Sequence, residues 1–214
     1  MSSARDSILG TIRKGLRGAT AAALPALTSP REMPVGERVE RFVAVLTKIG
    51  GQVDVVADHA ALRVRIAAIV AASGAKVLAL SDAEGLPAML ALVPTDVRRL
   101  PAGAPRDELM TADVGITGAQ WGIAETGTLV LTSVDEQHRL ASLLPAVHIA
   151  VLPRSRLLGT LGEAFALLQT KAGAPCARTI TFVTGPSRTA DIELTLVVGV
   201  HGPKSIHVLL LESD

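Results

Sequence analysis

Apolar positions along the chain follow two spacings, which predict an alternation of helices and short strands. Between residues 35 and 51 the apolar residues recur every three or four positions and form one stripe. The members of this stripe are Val39, Phe42, Val43, Leu46 and Ile49. Two glycines follow the stripe, so the pattern predicts an amphipathic helix that ends there.

The rest of the chain alternates between short apolar runs and longer helical stretches. The runs "VDVVA", "KVLAL", "TLVLTS", "HIAVL", "TITFVTG" and "SIHVLLLE" are rich in Val, Ile and Leu and predict buried strands. Asp58 is a candidate N-cap for the helix that follows the first run. Such runs separated by helices are typical of strands buried on both faces of a mostly parallel sheet. The predicted fold class is α/β, with a mostly parallel sheet flanked by helices.

The N-terminal part of the chain differs from the rest. Ser2 or Ser3 is a candidate N-cap for a first helix, which gives way to the Ala- and Pro-rich stretch "AAALPALTSPREMP". We therefore predict a helical arm with a linker over residues 1–34 and one α/β domain over residues 35–214. A chain of 214 residues is long enough for one such domain with a full core.

Composition narrows the classes of function. With 21 Lys and Arg against 20 Asp and Glu and only 2% aromatic residues, the chain lacks the basic and aromatic surfaces that nucleic-acid binding needs. Cys176 is the only cysteine, too few for a disulfide or an iron–sulfur cluster, so we expect no cofactor in this chain. Charges, Gly and Pro interrupt every apolar run, so we expect a soluble, cytoplasmic protein.

One loop after a predicted strand carries anion-binding chemistry. In "GPSRTADIE", Ser187, Arg188 and Thr189 offer hydroxyls, a guanidinium and backbone amides that suit a carboxylate or phosphate. Ligands of open α/β sheets usually bind where strands end. The alternative is that Ser187 or Thr189 caps a short helix while Arg188 pairs with Asp191 or Glu193 on the surface.

A second loop, "GVHGPKS", contains a histidine between glycines. His201 carries an imidazole, a group suited to proton transfer near neutral pH, although a loop histidine is often only a polar turn residue. The spacing of His201 from His207, and of Asp135 from His138, matches no metal-ligand pattern, so we predict no metal site.

The stretch "GIAETGTLVL" places an acid where the chain enters a predicted strand. Glu125 precedes Gly127, whose backbone can adopt torsions that other residues avoid. Such a carboxylate has one of two roles. It is a structural acceptor of hydrogen bonds from backbone amides or from an arginine, or it serves as a nucleophile, a base or a ligand contact. Of the candidate site residues, Glu125 and His201 are assigned as catalytic, and Ser187, Arg188, Thr189 and Gly127 as substrate-binding.

Three ordered motifs resemble one known family. "GITGAQWGIAETGTLVL", "HRLASLLPAVHIAVLPRSRLL" and "GPSRTADIELTLVVGVHGPKSIHVLLLE" are similar to successive signatures of the lactate-utilization protein C family, also called the LUD domain. The resemblance covers residues 35–214. It implies an α/β/α fold related to CoA transferases, ribose-5-phosphate isomerase and formyltetrahydrofolate cyclo-ligase.

The same resemblance implies a role in oxidising L-lactate to pyruvate beside two partner proteins, at least one of which carries iron–sulfur clusters. Under this hypothesis Arg188 and Ser187 hold a small carboxylate, His201 exchanges a proton, and Glu125 orients the substrate or the histidine. Two alternatives stay open. One is an acyl- or CoA-transferase-like enzyme with Glu125 as its nucleophile, and the other is a non-catalytic scaffold subunit.

Overall fold

A parallel sheet with helices on both faces forms the centre of the computed structural model, which describes residues 3–18, 33–134, 136–137, 139–170, 177–190 and 196–213. Within these ranges the helices are α1 (Ala4–Gly15), α2 (Val35–Lys48), α3 (His59–Ser73), α4 (Leu86–Met89), α5 (Arg106–Leu109), α6 (Arg139–Leu143) and α7 (Leu161–Thr170). The strands are β1 (Gln52–Val56), β2 (Val77–Leu80), β3 (Arg98–Leu100), β4 (Val114–Gly118), β5 (Trp121–Ile123), β6 (Thr128–Thr132), β7 (Val147–Pro153), β8 (Leu157–Leu158), β9 (Ile180–Val183), β10 (Arg188–Ala190), β11 (Leu196–Val198) and β12 (Ser205–Leu211).

The large sheet has six strands in the order β1-β12-β7-β4-β2-β3, and every neighbouring pair is parallel. Its strands are buried on both faces. In β12, Leu209 and Leu211 face the core under α3 and α4, whereas Val208 and Leu210 face the core under α2. This arrangement confirms the predicted α/β class and explains why the strands read as continuous apolar runs.

A second sheet of four strands, in the order β8-β5-β6-β9, packs with α2 against one face of the large sheet. The runs "TLVLTS" and "TITFVTG" were expected in the parallel sheet, but they form β6 and β9 of this sheet and pair antiparallel. For β6, which also pairs antiparallel with β5, the reason lies in the connection between these two strands, which is only residues 124–127. A turn this short can join antiparallel strands, whereas a parallel pair needs a long crossover.

Local signals at the helix ends are confirmed. The Asp58 side chain accepts a hydrogen bond from the amide of Ala61 at 2.8 Å and caps α3. Ser3 caps α1 through a reciprocal bond with Asp6. No residue of α1 is buried, and most of the predicted linker lies outside the described residues, so the division at residue 34 stays a prediction.

His207 lies in β12, the strand between β1 and β7, and its side chain is half-buried. Burial, and then the positive charge of Arg65, lower the pKa of this imidazole from its ordinary value, while Asp54 opposes them. Its Nδ1 atom is buried and has no hydrogen-bond partner among the described residues. The folded protein therefore favours the neutral ring.

We expect this histidine to make folding weaker in mild acid. Below an ordinary pKa of about 6.5 the unfolded chain binds a proton that the folded chain resists, so the free energy of unfolding falls as pH drops towards the lowered pKa. The slope is at most about 1.4 kcal/mol per pH unit. Urea unfolding between pH 7 and 5.5 measures it, and His207→Gln should flatten the curve. The same substitution at the exposed His201 is the control, and an equal loss of slope there would contradict the assignment.

Candidate functional site

Two cavities open at the carboxyl edge of the large sheet, the edge at which open α/β sheets usually bind ligands. The larger has a volume of about 850 Å³ and lies at the ends of β7 and β12, beside the start of α3. Arg63 and Arg156 line it, and within the described residues neither guanidinium forms a salt bridge. Its size suits a molecule much larger than a three-carbon acid.

The smaller cavity has a volume of about 260 Å³ and lies beside the ends of β2 and β6. It is lined by residues from the strand ends, from α6 and from the segment before β9. The polar and charged members are Ser133, Glu136, Gln137, Arg139, Arg178 and Thr179. A carboxylate and two guanidinium groups thus line one small space.

Glu136 is a buried acid in the wall of this smaller cavity, with 5% of its surface exposed. Its Oε1 atom accepts a hydrogen bond from the backbone amide of Gly118 at 2.8 Å, and its Oε2 atom accepts one from Nε2 of Gln120 at 3.2 Å. A Cβ atom at position 118 would lie 2.8 Å from Oε2, so a side chain there would displace this carboxylate from its present position. The end of β4 is therefore shaped around Glu136.

Gln120 has its own orientation set by the backbone. The amide of Thr132 donates to Oε1 of Gln120 at 2.6 Å, which leaves the amide nitrogen of Gln120 to face Glu136. Within the described residues Glu136 therefore meets two donors, both neutral, and forms no salt bridge.

Sequence reasoning did not find Glu136. It stands in "SVDEQHRLASLLP", just after β6 and before α6, and its neighbours Asp135 and His138 drew attention only as metal ligands. The sequence does show an acid next to a predicted buried strand at this position. The same kind of signal singled out Glu125, which precedes that strand where Glu136 follows it. Burial and the fixed donors, which distinguish Glu136, depend on residues more than ten positions away.

Glu125 lies in the turn between β5 and β6, away from both of these cavities. The side chain is exposed, and its carboxylate accepts a hydrogen bond from the amide of Leu161 at 3.1 Å, where α7 begins. An anion at a helix N-terminus is favoured by the exposed amides and the helix dipole. This contact is the one expected of a structural acceptor, and a catalytic role for Glu125 stays a prediction.

Gly127 occupies the same turn with a φ of 63°. A Cβ atom there would lie 2.8 Å from the backbone nitrogen of Leu46 in α2. The left-handed backbone and the close approach of α2 both require glycine. They account for the residue without a ligand, and its assignment to substrate binding stays a prediction.

The loops that contain Ser187 and His201 lie against each other. The amide of Ser187 donates to the carbonyl of Pro203 at 2.9 Å, and its carbonyl accepts from the amide of Gly199 at 2.8 Å. The amide of Lys204 donates to the carbonyl of Ala146 at 2.7 Å, immediately before β7 and β12 begin. This pair of loops is therefore at the amino edge of the large sheet, opposite the two cavities.

Arg188 and Thr189 lie in β10, which pairs antiparallel with β11, so the alternative of a short helix is wrong for the described residues. The Arg188 guanidinium donates to the carbonyl of Ile49 at the end of α2. Asp191 and Glu193, its other possible partners, lie outside the described residues. The guanidinium thus anchors β10 to α2, and its role in anion binding stays a prediction.

The Glu125 turn and the loop after β9 meet at one end of the small sheet. A hydrogen bond of 2.8 Å joins the hydroxyl groups of Thr128 and Thr184, and Thr184 immediately precedes "GPSR". Both loops also approach the end of α2, through Gly127 against Leu46 and Gly185 against Ile49. The structure therefore brings together the sequence regions singled out above, at an edge distant from the buried acid.

Over the described residues, no group of three or more His, Cys, Asp and Glu side chains could hold a metal ion. Cys176 lies outside those residues. None of the described helices combines the length and the apolar character needed to cross a membrane.

Comparison with known proteins gives concordant results. Residues 39–211 match the family model of the LUD domain. The chain is 47% identical over 94 residues to lactate utilization protein C of Halalkalibacterium halodurans, a match that covers 43% of this chain and 41% of that protein. It is 41% identical over 109 residues to lactate utilization protein C of Geobacillus thermodenitrificans, covering 50% of this chain and 45% of that protein.

These matches span less than half the length of either curated relative. The crystal structure of a DUF162 family protein from Deinococcus radiodurans superposes with a TM-score of 0.63 at 23% identity, covering 84% of this chain and 99% of that one. That likeness shows a shared α/β fold. Since the family model spans the large sheet and both cavities, the chain belongs to the LUD domain family.

Proposed function

We propose that this chain takes part in lactate utilization and supports the oxidation of L-lactate to pyruvate together with iron–sulfur partner proteins. The observation that carries the proposal is the name that its similar curated relatives share, at 41 to 47% identity in the two described above. The family match over residues 39–211 supports the same assignment.

The chemistry of the proposal divides between chains. Oxidation of L-lactate to pyruvate releases two protons and two electrons, and the electrons need an acceptor. A cluster needs several thiolate ligands, and Cys176 is the only cysteine here, so the clusters belong to the partners and receive the electrons one at a time. This chain contributes a binding site for the small carboxylate.

The carboxyl edge of the large sheet is the part of the structure best suited to that carboxylate. Arg139 and Arg178 line the smaller cavity, and guanidinium groups bind carboxylates through paired, charge-assisted hydrogen bonds. A ligand at this edge would also be open to a partner, because both arginines are exposed.

Loss of the gene tests the role in the pathway. We expect a deletion strain to grow poorly on L-lactate and normally on pyruvate, because only the first substrate needs the oxidation step. Re-expression of the full chain should restore growth, and extracts should regain lactate-dependent electron transfer. Undiminished growth of the deletion strain on L-lactate would remove the assignment.

Two alternatives stand beside this proposal. An acyl- or CoA-transferase-like reaction would use Glu125, which is exposed at a turn beside a cavity of about 320 Å³ lined by Thr126 and Leu161. The relation to CoA transferases that the sequence resemblance implies would favour this alternative. A non-catalytic scaffold would need neither Glu125 nor Arg188, and substitutions of both would then leave lactate oxidation intact.

A further inference from the structure

We propose that the smaller cavity binds a small 2-hydroxycarboxylate, with Glu136 accepting a hydrogen bond from the hydroxyl group and Arg139 and Arg178 binding the carboxylate. This inference rests on the proposed function and gives it a site and a substrate class. Its residues differ from those of the site that the sequence predicted around Glu125 and Arg188.

Glu136 is the hydroxyl-binding group of the proposed site. Glu136 is 5% exposed, and burial of a carboxylate without an opposite charge is unfavourable unless hydrogen bonds compensate. A carboxylate offers about four acceptor positions, and among the described residues only the Gly118 amide and the Gln120 side chain donate to Glu136. Because Glu136 also lines the cavity, its remaining lone pairs are available to a donor from a ligand.

The groups that hold Glu136 have fixed orientations. The Thr132 amide orients Gln120, and the absence of a side chain at Gly118 lets its amide approach Glu136 closely. Both contacts use Glu136 as an acceptor, so a ligand group that completes the set must be a donor. A hydroxyl group meets this requirement, whereas a carbonyl group does not.

Two arginines supply positive charge at the wall of the same cavity. Arg139 begins α6 and Arg178 precedes β9, so two separate segments direct guanidinium-bearing residues to the same cavity. Within the described part of the chain neither arginine forms a salt bridge. They complement a ligand carboxylate, while Glu136 complements a hydroxyl.

The size of the cavity limits the ligand. A volume of about 260 Å³ is just below the usual range for ligand pockets, so it suits a molecule of a few carbon atoms rather than a nucleotide. A short acid with a neighbouring hydroxyl group satisfies the charge, the hydrogen bonding and the volume together.

Calorimetric titration of the purified full chain with L-lactate, propionate and pyruvate tests this site without any variant. Propionate lacks the hydroxyl group, and pyruvate carries a carbonyl in its place. Because a site built around a hydroxyl donor leaves a buried acceptor unpaired with either analogue, we expect L-lactate to bind at least about tenfold more tightly than both. Equal affinities for the three acids would overturn the proposal.

Variants then separate the two kinds of contact. Glu136→Gln should bring the ratio of lactate to propionate affinity closer to one, because an amide NH2 group, which donates and does not accept, replaces one carboxylate oxygen. Arg139→Ala and Arg178→Ala should each weaken both acids by about tenfold or more and keep the ratio, because the carboxylate contact is common to them. A purely structural role for Glu136 would weaken both acids alike and would contradict the assignment.

Matched controls come from the exposed face of α2, where Glu40→Gln and Arg41→Ala should leave both affinities unchanged. Thermal unfolding of each variant checks that it folds, and if Glu136→Gln does not fold, the three-acid comparison with the unmodified chain decides alone. Loss of lactate binding in Arg63→Ala or Arg156→Ala, with Arg139→Ala and Arg178→Ala unaffected, would move the ligand to the larger cavity and overturn the proposal.

The binding experiments test the site, and the growth experiment tests the role in the pathway, so each claim can be rejected without the other. A deletion strain that grows poorly on L-lactate, combined with no preference for L-lactate in the titrations, would overturn this site and leave the pathway role. Undiminished growth combined with selective binding would remove the pathway role and support the site as a sensor or carrier of the same class of acid.

Discussion

Replacing Gly115 by alanine is expected to lower the free energy of unfolding by about 3 kcal/mol or more. Gly115 lies in β4, the strand between β7 and β2 in the large sheet. A Cβ atom there would overlap the carbonyl oxygen of Ala141 in α6 and lie 2.8 Å from its carbonyl carbon. These are backbone atoms, so no side-chain rotation relieves the overlap and α6 has to move.

Urea denaturation of Gly115→Ala measures this loss. Gly36→Ala in α2 is the matched control, because nothing lies within 4 Å of a Cβ atom at that position. Alanine also favours a helix over glycine by up to about 1 kcal/mol, so the control should be neutral or slightly stabilising. Equal losses in the two variants would show that α6 does not pack on β4 as closely as described.

The same substitution should impair ligand binding. Arg139 is the first residue of α6, and Glu136 stands three residues before it, so a shift of α6 moves both walls of the smaller cavity. If Gly115→Ala folds, we expect its affinity for L-lactate to fall, although position 115 does not line the cavity.

Truncation of Phe42 to alanine is the second large effect, with an expected loss of about 3 to 5 kcal/mol. Phe42 is fully buried, at 0% exposed, and packs from α2 into the core shared by the large sheet and the small sheet. With 2% aromatic residues in the chain, that core has few large side chains able to fill a space left by the ring. The variant therefore keeps a cavity between the two sheets.

Phe165→Ala provides the comparison at equal chemistry. Phe165 lies in α7, is 40% exposed and contacts Phe182 with ring centroids 5.8 Å apart. Its truncation should cost less than half as much as that of Phe42, because its ring is partly in water already. The midpoints of urea unfolding compare the two variants, and similar losses would contradict the central position of Phe42.

The sequence predicted the elements better than their arrangement. The stripe on α2, the cap at Asp58 and the apolar run of β12 are all confirmed, because each depends on residues within a few positions of one another. The runs that form β6 and β9 have the same composition as the parallel strands, so composition could not assign them to a separate sheet. The short turn before β6 indicates that β6 pairs antiparallel with β5, but no local feature indicates the place of β9.

The candidate site shows the same limit. The sequence singled out Ser187 and His201 as loop residues, and the structure does place their loops together, at the amino edge of the large sheet. It could not identify Glu136, because the amide donor lies 18 residues away and the side-chain donor 16. Neither the cavity nor the burial of this acid has a local signature.

By itself, the sequence determined the succession of helices and strands, the α/β class and the family, because periodicity, caps and motifs are properties of neighbouring residues. Only the tertiary structure decided which sheet each strand joins and which carboxylate faces a cavity. Those choices depend on contacts between distant segments, such as β4 with α6 and Gln120 with Glu136, where backbone approach and burial determine which polar groups remain open to a ligand.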